Sequence, residues 1–266
     1  MVLTLRTARE IGEMRKAGLL VWEAHRLLAA RVQPGVTTAE LNAVVDEFFA
    51  RQGARPLFKS YPNPDGDGPP FPAATCISVN EQVVHGIPGP RRLKEGDIVS
   101  IDTGCKVNGW CGDAAATYPV GKVLPEVQRL LDVTKGVLQL AIDTMAKCRW
   151  WRDVAAEMEA YVKRARFSSV LKYVGHGVGR DMHEDPQVPN FVDRKMRRTG
   201  GFELSPGLVI AIEPMVNLGT CRVKRLKDTW TVVTADGKPS AHFEHTVAMT
   251  AAGPVVLTAG PNGETW

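Results

Sequence analysis

The chain has 266 residues, 44% of them hydrophobic, and a formal charge of +4; one large domain can bury a sizeable core, and the slight basic excess is too small to imply a nucleic-acid partner. The opening MVLTLRTAREIGEMRKAG has neither the apolar run nor the small-residue cleavage site of a secretory signal. No stretch approaches the ~20 apolar residues needed to cross a bilayer, and the five cysteines form no CxxC pair, so a soluble, reduced, cytoplasmic protein is expected.

Residues 7–30 predict a helix with Ile11, Met14, Leu19, Val21 and Leu27 as a rough apolar face. Pro34-Gly35 breaks it, and Thr37 or Thr38 caps a second helix that turns Leu41, Val44, Val45, Phe48 and Phe49 inward. The Pro/Gly/Asp-rich residues 61–72 are a loop. A second helix pair is expected over about 125–146 and 151–166, and strands occupy much of the rest. The basic stretches 194–198 and 222–227 read as solvated faces.

The order helix, helix, strands thus occurs twice. LKEGDIVSID, ending at Asp102, aligns without gaps to LSPGLVIAIE, ending at Glu213. In each, a glycine turn leads into an apolar strand that ends on a carboxylate. Two similar halves are expected, about 1–121 and 122–266, within a single catalytic domain spanning 1–266. A pseudo-twofold axis between them would set the two carboxylates face to face.

The chemistry concentrates in GDIVSIDTGCKVNGWCGDAAATYPVG. Asn108-Gly109 predicts a two-residue hairpin turn, because both residues tolerate positive φ. Counting back, Lys106 pairs with Cys111 and Gly104 with Asp113. Asp102 and Asp113 then become diagonal neighbours on one face, ~7 Å or less between Cβ atoms. Carboxylates so close repel unless a cation lies between them, and a metal pair ~3.5–4 Å apart fits the gap. Glu213 ends VIAIEP, and Glu244 shares a strand face with His242 and Thr246 in AHFEHTVAMT. Either glutamate alone reads equally well as a paired structural group. His176, flanked by glycines in VGHGVGRDMH, reads by itself as a loop residue, yet beside four carboxylates it completes an oxygen-rich ligand set. His85, in VVHGIPG, is a further acid/base candidate.

Together, CISVNEQVVHGIP, GDIVSIDTG, NGWCGDAAATYPVG, YVGHGVGRDMHEDPQVPN, AIEPMVNLG, DTWTVVTADG and FEHTVAMT resemble the type I methionine aminopeptidases, in that family's order and over nearly the whole chain. The resemblance implies an α+β pita-bread fold: two pseudo-symmetric halves around a central curved antiparallel sheet covered by two helix pairs. It implies two divalent ions (Co, Mn, Fe or Zn) held by Asp102, Asp113, His176, Glu213 and Glu244, with Asp113 and Glu244 bridging. His85 and His183 would contact the substrate, Glu213 would accept the proton, and a hydroxide bridging the two ions would attack the scissile carbonyl. Phe71, Cys76, Met182 and Trp230 would line the methionine pocket, and Asn80 and Ser240 match a monovalent-cation position. The implied reaction is removal of the initiator methionine from peptides and nascent chains when the second residue is small. A monomer, a transient ribosome contact and no membrane or specific nucleic-acid partner go with it.

The chain departs from the family pattern in three places. Met182 stands where an aromatic is common, the 61–72 loop is long, and KCRWWRDV replaces a Pro-Gly turn, with Trp150 and Trp151 expected to cap the core there. The rival readings are an aminopeptidase P or prolidase, which usually carry an extra N-terminal domain, and a non-catalytic module that has lost ligands.

Overall fold

Thr7 and Thr37 each open a helix in the same way. Their hydroxyls accept from the backbone N–H of Glu10 and Glu40, whose carboxylates reach back to the threonine N–H. Each exchange satisfies two donors that a helix start leaves unpaired. The computed structural model describes residues 3–266. Its five helices are α1 (Ala8–Ala29), α2 (Thr38–Arg51), α3 (Pro125–Met145), α4 (Trp151–Arg164) and the short α5 (Arg194–Thr199), which had not been expected. None is long and apolar enough to cross a membrane.

The buried stripe of α1 is Met14, Ala17, Val21, Ala24 and Leu28, at helical spacing. Leu19 and Leu27, expected on that face, are half-buried at its margins. The small residues have a packing reason. A Cβ on Gly18 would lie 2.0 Å from the Leu257 carbonyl oxygen, and one on Gly112 would lie 2.7 Å from the Gly18 nitrogen. Glycine at both positions lets α1 press its backbone onto the sheet. On α2, Leu41, Val45, Phe48 and Phe49 are buried and Val44 is half-buried.

All strand pairs are antiparallel, and two sheets dominate. One is built on the hairpin Ile98–Val107 and Trp110–Pro119, flanked by Thr75–Val79 and Arg55–Pro56. The other runs in the order Gly253–Val256, His245–Thr250, Val209–Ile212, Gly175–Gly177, Glu184–Val188. The hairpin has the expected register, Lys106 opposite Cys111 and Gly104 opposite Asp113, and both turn residues have positive φ, 51° at Asn108 and 80° at Gly109. Gly96 and Gly207, the turns of the two aligned segments, also share a left-handed backbone, at 89° and 99°.

The two sheets meet through paired bonds. Asp113 N donates to Thr246 Oγ1 at 3.1 Å, and that hydroxyl donates to the Asp113 carbonyl at 2.7 Å. Glu244 N donates to Ala115 O at 2.8 Å. Trp151 is fully buried, stacks on Phe202 and donates to Pro189 O, so it caps the core as expected; Trp150 is half-buried against Gly200.

The register also fixes the redox chemistry. Cys105 lies opposite Gly112 and Cys111 opposite Lys106, so the two sulfurs leave opposite faces of the hairpin and cannot bridge. All five cysteines are free, and burial pushes the Cys105 thiol up and that of Cys111 to about 12. Five thiols should react with a thiol reagent after unfolding without reductant, whereas Cys76, Cys105 and Cys111 stay inert in the folded protein. A count below five in the unfolded protein contradicts the register.

Candidate metal centre and substrate pocket

The carboxylates arrive by two local devices. The hairpin supplies Asp102 and Asp113, and Gly104 makes the room between them: a Cβ there would stand 2.7 Å from Asp113 Oδ1. Glu213 and Glu244 come instead from a shared bend. Ile212 pairs with His245 and Met215 with His242, in different sheets, so Glu213-Pro214 and Phe243-Glu244 face each other where both strands cross over. This corrects the sequence reading of Glu244 as the centre of one continuous strand. Pro214, which has no N–H to add to a ladder, interrupts its own strand.

His176 sits on the three-residue strand Gly175–Gly177. Side chains on the neighbouring glycines would stand 2.2 Å from the carbonyl oxygens of Ala211 and Asp185, so glycine is required on both sides. His176 Nδ1 lies 3.0 Å from Gly177 O and donates to it, which leaves Nε2 as a free lone pair, 3.6 Å from Glu213 Oε1. His85 follows the strand Gln82–Val84 with φ at 58°, a left-handed conformation that is costly for a residue with a Cβ.

The eleven candidate catalytic, metal-binding and methionine-pocket residues all line one cavity of about 200 Å³. Phe71, Cys76, Met182 and Trp230 cluster with Phe58 along its apolar side, and Trp230 is anchored by its indole N–H to Pro69 O at 2.9 Å. Sequence reading gave no role to His242, Phe58 or Tyr173; all three line the cavity, as does Tyr61 from the 61–72 loop. His242 was visible two residues before Glu244. Its Nε2 is buried, unpartnered, and stands 3.6 Å from Glu213 Oε2 and 4.0 Å from Glu244 Oε2. Asn80 and Ser240 lie apart from this cluster; the Asn80 side chain is committed to Asp97 and to Ile98 N, and the Asn80 backbone carbonyl accepts from Ser240 N.

The electrostatics of the cavity suit a cation. Four carboxylates line the cavity and, among the described residues, no lysine or arginine does. Asp102 Oδ1, Asp113 Oδ1 and Glu244 Oε1 are buried without hydrogen-bond partners, a costly arrangement unless a cation meets them. Burial pushes the Glu213 carboxyl up to about 8. Burial and the Glu213 charge push Asp113 up to about 7. Asp102 and Glu244 lie well above the carboxylate range for the same reasons, burial first and then their acidic neighbours. Burial holds His176 and His242 down at about 3 and His85 at about 4, so all three imidazoles are neutral at physiological pH. Asp113, His176 and Glu244 each offer a ligand atom within 4.8 Å of the others. Hard carboxylate oxygens with one imidazole suit a divalent ion.

Known proteins carry the same architecture. Residues 12–251 match metallopeptidase family M24. Methionine aminopeptidase 1 of Bacillus subtilis (strain 168) is 46% identical over 257 residues, covering 97% of this chain and 99% of the relative. The methionine aminopeptidase of Clostridium perfringens is 47% identical over 262 residues, with the same two coverages. The crystal structure of a methionine aminopeptidase from Thermotoga maritima matches with a TM-score of 0.90 at 41% identity, covering 97% of this chain and 99% of that one. A prolidase from Pyrococcus furiosus, with a TM-score of 0.72 at 20% identity and only 65% of its own chain covered, shares the pita-bread fold alone. This chain belongs to metallopeptidase family M24, among its methionine aminopeptidases.

Proposed function

We propose that this cavity removes the N-terminal methionine from peptides and nascent chains whose second residue is small. One observation carries the reading: four carboxylates, with no lysine or arginine beside them among the described residues, share a buried cavity with a pocket of aromatic rings and sulfur. The first feature suits divalent cations, and the second suits an unbranched thioether.

Asp102, Asp113, His176, Glu213 and Glu244 would hold two divalent ions. The orphaned oxygens and the free His176 lone pair support that assignment. Divalent ions bound there supply Lewis acidity and lower the pKa of water. The rest falls to side chains. Glu213 takes the proton of the attacking water. His183 donates to the oxyanion as the carbonyl becomes tetrahedral. His85, set edge-on to Trp230 and Tyr173, meets the peptide at the leaving amine. Phe71, Cys76, Met182 and Trp230 hold the methionine side chain.

The whole chain acts as one catalytic domain made of the halves about 1–121 and 122–266, supported by the shared turn conformation of Gly96 and Gly207. The family resemblance supports a cytoplasmic monomer that meets nascent chains transiently at the ribosome. It also supports a monovalent cation near Asn80 and Ser240, which are joined through their backbones.

A peptide panel tests the specificity. Met-Ala-Ser, Met-Gly-Ser and Met-Ser-Ser should release methionine, whereas Met-Lys-Ser, Met-Arg-Ser and Met-Leu-Ser should not. Equal turnover of Met-Lys-Ser and Met-Ala-Ser sinks the reading, as does preferential cleavage of Xaa-Pro peptides.

A further inference from the structure

The 61–72 loop, the longest departure from the family pattern, is not loosely attached. Ser60 N donates to Phe71 O and Phe71 N to Tyr61 O, at 2.8 and 2.9 Å, closing the base of the loop. Arg225 reaches across from the strand Val223–Arg225 to bind Asp65 at 2.6 Å and also Asp67, and Asn63 Nδ2 donates to Thr229 Oγ1 at 3.2 Å. These anchors present Tyr61 to the cavity. Its Oη lies 2.6 Å from His183 Nδ1, with the two rings edge to face.

We propose that Tyr61 is a positioning residue, whose hydroxyl donates to Nδ1 of His183 and holds that imidazole as the tautomer carrying its proton on Nε2. The direction of the bond follows from the two groups. A phenol is a good donor and a weak acceptor, whereas a neutral imidazole nitrogen accepts well. Once Nδ1 accepts, the single ring proton of the neutral imidazole must sit on Nε2. That N–H is the group an oxyanion donor needs. The phenol remains protonated to do this, since burial and the charges of Asp181 and Asp113 raise its pKa further. The same loop thus furnishes a pocket wall, through Phe71, and the orientation of a catalytic proton.

The inference rests on His183 acting as the oxyanion donor, and a double-mutant cycle separates the two claims. Metal-loaded wild type, Tyr61→Phe, His183→Ala and the double variant are compared on Met-Ala-Ser. Tyr61→Phe keeps the ring and removes one oxygen, so packing and the melting temperature should be unchanged. Its kcat should fall about 10–100-fold with KM nearly constant, the pattern of an interaction used only in the transition state. In the His183→Ala background the same substitution should cost nothing further. If His183→Ala itself retains the wild-type kcat, the role of His183 falls and the inference falls with it. If His183→Ala is impaired while Tyr61→Phe is harmless, or costs the same factor in both backgrounds, the inference alone is overturned.

Discussion

His176→Ala should lose both activity and the affinity for one metal ion, whereas His183→Ala should keep both ions and lose only rate. The two histidines stand side by side, their rings 4.2 Å apart and edge to face, so residue type and proximity do not distinguish them. Their surroundings do. His176 Nδ1 is tied to a backbone carbonyl and its Nε2 looks toward Glu213, the arrangement of a ligand. His183 Nδ1 is engaged by Tyr61 instead. Loss of one oxyanion donor costs about 10²–10³ in kcat, with little change in KM. Calorimetric titration of the chelated variants with metal, followed by steady-state kinetics, measures both quantities. His85→Ala should resemble His183→Ala, with a larger share of its loss in KM. If His183→Ala drops an ion while His176→Ala binds two, the assignment of the VGHGVGRDMH segment is wrong.

Chelation should leave a protein that grows less stable as pH rises from about 6.5 to 9. The sign follows from linkage. Glu213 and Asp113 titrate at about 8 and 7 in the folded chain, against ordinary values of 4.5 and 3.8, so up to those pH values the folded state holds protons that the unfolded state has already released. Raising the pH removes them and forces uncompensated charges into the cavity, at a cost of several kcal/mol. For a chain of this size each kcal/mol moves Tm by about 2–4 °C. Below about 6.5 the histidines act in the opposite sense. His85, His176 and His242 refuse protons that the unfolded chain accepts at 6.5, which offsets the carboxylate slope toward acid and flattens the profile there. The chelated protein should therefore lose stability steeply only above about pH 6.5, while the metal-loaded protein loses that slope, because the bound cations keep the carboxylates ionised. Thermal melts across pH 5–9 with and without chelator provide the test. The same slope in both samples contradicts the cation reading.

What was legible in the sequence had local causes. The hairpin register followed from Asn108-Gly109, whose positive φ values the structure contains, and with it came the juxtaposition of Asp102 and Asp113. Helix α1 followed from apolar spacing and α2 from apolar spacing and a threonine cap, whereas α3 and α4 open without a side-chain cap. What escaped depended on contacts distant in sequence. The bend at Glu213 and Glu244 exists because two strands change sheets opposite each other, which alternation within either strand does not reveal. Helix α5 buries only Met196, too little to make an apolar period. Tyr61 sits in a loop whose course is set by Arg225 and Thr229, more than 150 positions onward. The apolar pocket itself came from family resemblance, since no periodicity joins Phe71, Met182 and Trp230.

The central claim is that this chain is a metal-dependent enzyme selective for N-terminal methionine, and reconstitution tests it most directly. Chelated protein is mixed anaerobically with Met-Ala-Ser, and Co, Mn, Fe or Zn is added singly. No methionine should appear before addition, and at least one ion should restore turnover, with Met-Lys-Ser left intact in the same tubes. Release of methionine by fully chelated protein at the reconstituted rate, or silence with every ion, would contradict the account.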